Sequence, residues 1–187
     1  MSTLSRTIAP ARDARLTIAA IVGFALALAA ASQVALPLPF TPVPITLQPL
    51  VVVLAGLMLG PVAGAASMVL YLAAGAAGLP VFAPMGLPGI ARFFGPTGGY
   101  LFAYPAAAFV TGSLARLSPT LLGRWLAATA GSIVILVGGV AELAILNQSI
   151  ARAFAIGLTP FALLDVVKAF IAALIAGRRP WTATARD

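Results

Sequence analysis

Asp165 and Lys168 stand three residues apart inside the apolar run PFALLDVVKAFIAALIAG, residues 160–177. On a helix, positions i and i+3 share a face, so each charge partly neutralises the other. A charged side chain at mid-bilayer costs roughly 2.5–3.5 kcal/mol on insertion scales, so such a pair needs a reason to be there. A ligand in a membrane-buried cavity is the leading reason. A structural pair that only fixes the helix is the alternative. A carboxylate accepts hydrogen bonds and an ammonium donates them, and charge-assisted bonds are the strong ones where water is scarce.

Other polar groups fall at a similar depth. Asp165 and Lys168 lie five and eight residues past Pro160, about 8–12 Å from that end of the run. Glu142 precedes Asn147 in the run 125–146, which runs the opposite way, and it lies about 8–9 Å from the same end. Tyr71, Thr46 and Gln48 belong to that side too. Each has a plainer reading. Glu142 also fits a packing acid, protonated or paired with Lys168, and Tyr71 an interfacial belt residue. Arg92 also fits a side chain snorkelling to phosphates.

The elements that must hold these groups are membrane helices. The chain of 187 residues is 61% hydrophobic and 8% charged, with a mean hydropathy of +1.09. A soluble domain of this length would carry more polar surface. Long apolar runs without period-2 alternation favour helices over a barrel. With no Cys and no His, thiol chemistry, disulfides and the usual transition-metal ligands are excluded, and neither a metal nor a cofactor is expected. The formal charge of +7 is not read as a nucleic-acid signal, because the arginines cluster beside hydrophobic runs.

Six spans are expected, at 16–32, 45–60, 62–78, 100–117, 125–146 and 160–177, in one integral-membrane domain covering 1–187. The basic segment before the first span also resembles a signal peptide, but nothing soluble follows it to be exported. In the first span Ala19, Gly23, Ala27 and Ala31 recur every fourth residue, with Ala25 and Ala29 beside them. Small-xxx-small stripes let helix backbones approach closely in a bilayer, so this stripe is a candidate partner-docking face. Residues 36–44, LPLPFTPVP, cannot be helix, because four prolines remove amide donors and hold their predecessors extended. Residues 79–99 are rich in Gly and Pro yet keep Val81, Phe82, Met85, Phe93 and Phe94. A long loop that retains its apolar residues reads as a lid.

Charge orients the whole. With residues 1–15 and the tail 178–187 in the cytoplasm, the inner side holds Arg6, Arg12, Arg15, Arg116, Arg124, Arg178, Arg179 and Arg186, and the outer side Arg92 and Arg152. That asymmetry follows the positive-inside rule. Both proline-rich stretches then cap a pocket open to the outside, as capture for uptake requires.

Four stretches carry a resemblance. PVPITLQPL (42–50), LYLAAGAAGLPVFAPMG (70–86), GPTGGYLFAYP (95–105) and DVVKA (165–169) resemble the BioY biotin transporters, the substrate-binding S components of energy-coupling-factor (ECF) transporters. The likeness runs from about residue 16 to 179. Pro49 stands where that family more often has Thr, and Leu164 where Gly is usual. The resemblance implies a six-helix subunit of a bacterial cytoplasmic (inner) membrane. It implies biotin as substrate, lipid as surroundings, and a transmembrane T component docked on the first helix with two ATPase subunits beneath; a homo-oligomer is the other assembly considered. Asp165 and Lys168 would then meet the ureido group of biotin. Tyr71 and Phe82 would pack its rings, Arg92 would approach its carboxylate, and Gln48, Glu142 and Asn147 would add polar contacts. The chain contains no GxxxxGK[ST] stretch and Lys168 is its only lysine, so a P-loop ATPase is not expected in it. Two other classes compete: an ion- or proton-coupled carrier with Asp165, Lys168 and Glu142 as relay, and an intramembrane enzyme with Asp165 and Glu142 as acid and base.

Overall fold

The computed structural model describes residues 11–177, with side chains from Ala14 onward. The expected cytoplasmic tail with Arg178, Arg179 and Arg186, and the side chains of Arg6 and Arg12, lie outside the described residues. Helix α1, Ala11–Gln33, leads into a hairpin of strands β1, Ala35–Leu38, and β2, Thr41–Thr46. Helix α2, Gln48–Ala76, follows. A 3-10 turn at Gly89–Phe94 lies in the lid segment, before α3, Gly98–Ala115. The chain ends with α4, Leu121–Asn147, a short α5, Ile150–Gly157, and α6, Ala162–Ala176. Helices α1, α2 and α4 are each long and apolar enough to cross a bilayer, and α5 with α6, bent by 48° at their break, pass the same test together. The chain is a multi-pass membrane protein.

The fold is mostly helical, and at 36–44, where no helix is expected, two short strands are added to it. The prolines exclude helix, and the chain answers with an antiparallel hairpin pairing Ala35 with Thr46, Leu36 with Ile45 and Leu38 with Thr41. Its register slips between Leu36 and Leu38, on either side of Pro37, which has no N–H to give. Thr41 ties the hairpin down by donating from Oγ1 to the carbonyl of Ile156 at 2.8 Å.

Helix α2 is two arms. Gly60, at φ +79°, breaks it just before Pro61. Gln48 Nε2 then donates to the Tyr71 hydroxyl at 2.9 Å, although a straight helix would hold those residues about 35 Å apart. The break is therefore a reversal, and Gly64 packs back on Ala55 and Gly56. The separate expectations for 45–60 and 62–78 describe these arms, except that the first starts at Gln48.

Glycines set the helix spacing elsewhere. The backbone of Gly99 in α3 lies on that of Gly138 in α4, and the Tyr100 ring lies over Gly139. Close approach of this kind depends on small residues where no hydrophobic force drives helices together in lipid. One end of the bundle gathers the Gly60 turn, Arg116 beside it, and Arg124, which donates to the carbonyls of Ala173 and Pro119. The hairpin and the lid segment lie at the other end.

Candidate substrate-binding site

The bend at 158–161 starts a new helix inside the apolar run, and that start sets the charges. Asp165 falls in the first turn of α6, where the positive end of the helix dipole favours a carboxylate. Lys168 follows one turn later and donates from Nζ to Asp165 Oδ1 at 2.9 Å. The Asp165 side chain is 4% exposed and that of Lys168 11%, so the pair is nearly dry. Both line the same cavity, together with residues of the hairpin, the lid segment, α2, α3 and α4.

Opposite the pair, Gln48 reaches the same cavity from the start of α2. Its carboxamide is held at both ends. Thr46 Oγ1 donates to Oε1 at 3.2 Å, and Nε2 donates to the Tyr71 hydroxyl at 2.9 Å. Tyr71 itself is buried and does not reach the cavity wall. Its hydroxyl holds Gln48, and its ring packs edge-on to Phe82, centroids 5.4 Å apart.

Phe82 brings the lid to the site. It lines the cavity, stacks edge-on with Phe93 at 5.6 Å, and fits against Gly75, where a Cβ would meet its ring. Arg92 also lines the cavity, with its Cζ 6.0 Å from the Phe82 centroid, at the outer limit of a cation–π contact. Its two Nη atoms donate to the carbonyls of Ala83 and Met85. Burial lowers its pKa below the ordinary value, and guanidinium remains a cation throughout the physiological range. An adjoining hollow of about 600 Å³, lined by Pro42, Met85 and Leu87 among others, shares Arg92 and Thr97 with the first. Arg92 thus stands between the two.

Glu142 and Asn147 are not on the cavity wall. Asn147 Nδ2 donates to Leu143 O of its own helix at 2.8 Å. Glu142 lies on the first turn of α3, with its carboxylate against the α-carbons of Gly98 and Gly99. A carboxylate at a helix N-terminus suits the dipole, and its Oε2 has no hydrogen-bond partner among the described residues. Neither Glu142 nor Asn147 is gathered with Asp165 and Lys168 around this cavity.

The BioY family profile matches residues 3–185. The probable biotin transporter BioY of Pyrococcus horikoshii is 42% identical over 137 residues, 73% of this chain and 80% of the relative. The biotin transporter BioY of Thermotoga maritima is 38% identical over 141 residues, 75% of this chain and 83% of the relative. The chain belongs to the BioY family. Its fold superposes with TM-score 0.84 on a crystal structure of the S-component for biotin from an ECF-type ABC transporter. That match is at 27% identity and covers 91% of this chain and 93% of the other.

In this BioY chain the wall contains residues that the sequence reading missed. Tyr100 and Tyr104 line it from α3, and Tyr100 donates from its hydroxyl to Gly157 O at 2.6 Å. Two tyrosines at i and i+4 share a helix face, which was the available signal. The docking stripe also divides. Ala19, Gly23 and Ala27 are exposed, and a Cβ on Gly23 would meet nothing within 4 Å. Ala25 and Ala31 are buried, and Ala29 packs on the core.

Proposed function

We propose that this chain captures biotin from outside the cell and delivers it across the cytoplasmic membrane as the substrate-binding subunit of an ECF-type transporter. The observation that carries the reading is the Asp165–Lys168 ion pair, nearly withdrawn from solvent, on the wall of a cavity in a chain of the BioY family. Biotin offers two ureido N–H donors and a ureido carbonyl. Asp165 accepts from the former and Lys168 donates to the latter, while Gln48 supplies a further polar contact. Phe82 and the two wall tyrosines pack the apolar ring system. The Arg92 charge, held by the lid, faces the carboxylate end of the molecule.

The chain crosses the membrane six times, each arm of α2 being one crossing and α5 with α6 another, in a single domain. Both termini are cytoplasmic, and the hairpin and lid roof the site on the outer side. Arg116 and Arg124 at the opposite end fit the positive-inside rule. The exposed face of Ala19, Gly23 and Ala27 takes the transmembrane T component, and two ATPase subunits supply the power.

Uptake of labelled biotin by a biotin-requiring host tests the reading, together with mass analysis of the small molecule retained after gentle detergent purification. Retained biotin, and loss of uptake in Asp165→Asn and Lys168→Ala at limiting biotin, are expected. Normal uptake in both variants would overturn it.

A further inference from the structure

The lid segment hangs from side chains. The carbonyls of Val81, Phe82, Ala83 and Met85 accept from Ser32, Gln33 and Arg92. Ser32 and Gln33 are the last two residues of α1. Ser32 donates from Oγ to Val81 O at 2.6 Å, and Gln33 Nε2 donates to Phe82 O at 3.1 Å. Phe82, whose carbonyl Gln33 holds, is the lid residue that lines the cavity.

Both donors have a second acceptor at home. Ser32 Oγ lies 2.7 Å from Ala29 O, and Gln33 Nε2 lies 2.8 Å from Ser32 Oγ and 3.4 Å from Ala29 O. A hydroxyl carries one proton, so Val81 O and Ala29 O compete for that of Ser32, whereas the two carboxamide protons of Gln33 serve Phe82 O and α1 together. When the lid lets go, each donor turns back onto α1. No buried donor is left stranded, which removes the usual penalty for breaking such a bond.

We propose that Ser32 and Gln33 are positioning residues, a releasable latch between the end of α1 and the lid that sets how often Phe82 leaves the cavity wall. The proposal rests on the biotin reading only for what the opening admits. Because α1 also presents the exposed Ala19–Gly23–Ala27 face, a displacement of this helix pulls directly on the lid.

Hydrogen–deuterium exchange on the full chain in nanodiscs, without biotin, tests the latch. In Ser32→Ala the amides of 79–88 are expected to exchange about 3- to 10-fold faster, the worth of one net hydrogen bond. Gln33→Leu, at an exposed position that tolerates substitution, should act likewise. Ser32→Thr, which keeps the hydroxyl, should return the parent rate, and amides of α3 and α4 should not change. Labelled biotin should leave both latch variants faster by a similar factor. Parent-like lid exchange in Ser32→Ala and Gln33→Leu, or no rescue by Ser32→Thr, would overturn the latch. A parent protein that holds no biotin would instead overturn the biotin reading, with lid exchange still deciding the latch.

Discussion

Removing one member of the Asp165–Lys168 pair leaves the other buried without its counter-charge, a change that costs roughly 3–5 kcal/mol where the pair is dry. Asp165→Asn and Lys168→Met should each lower the thermal midpoint in detergent. The double variant, with no lone charge, should melt above either single one, yet none of the three should retain biotin. Melting curves with and without biotin separate the two effects. A double variant that melts below both singles would mean the pair does not compensate itself. Tyr71→Phe removes the acceptor that orients Gln48 and leaves the ring beside Phe82. It should weaken biotin binding by about 1 kcal/mol, roughly fivefold, with little change in melting, as calorimetric titration would measure. Spacing made the aspartate–lysine pair legible, because i and i+3 fix a shared face whatever the helix packs on. Glu142 was not legible in the same way. It shares a helix face with cavity-lining Ile135 but lies seven residues on, about 10 Å along the axis, where the first turn of α3 covers it.

At the scale of elements, glycines mark where backbones touch. A Cβ on Gly99 would run into Gly138 O and come within 2.8 Å of Glu142 Cβ, whereas one on Gly23 meets nothing. Gly99→Ala should therefore destabilise by about 1–3 kcal/mol through overpacking. Gly23→Ala should stabilise the isolated chain by up to about 1 kcal/mol, through helix propensity alone. Thermal melts of the two variants check the contrast, and equal shifts would contradict the packing described. The turn at Gly60–Pro61 could be read from the dipeptide itself. The hairpin could be read only as non-helical, because prolines say what a segment cannot be and pairing depends on a distant partner. Helix α5 was passed over as a link. Its eight residues are too few to cross a membrane, and it is held from outside, by Thr41 on Ile156 O and Tyr100 on Gly157 O.

For the whole molecule, the proposed docking of a transmembrane partner on the exposed face of α1 predicts that capture and delivery can be separated by mutation. Gly23→Leu places bulk where a Cβ has open space, so the purified subunit should hold biotin with unchanged affinity. Cells carrying it should lose most uptake, and pull-downs should lose the transmembrane partner. Undiminished uptake would move the docking face elsewhere. The reversal at Gly60 has a wider consequence. The arms 48–59 and 61–76 are only about 18 and 24 Å long at 1.5 Å per residue, against a hydrocarbon core of about 30 Å. If each arm is one crossing, as proposed above, both are shorter than the core they span, a mismatch that thinner lipid relieves. The proposed crossings then make the subunit sensitive to bilayer thickness, and reconstitution into short-chain and long-chain phosphatidylcholines should change its turnover.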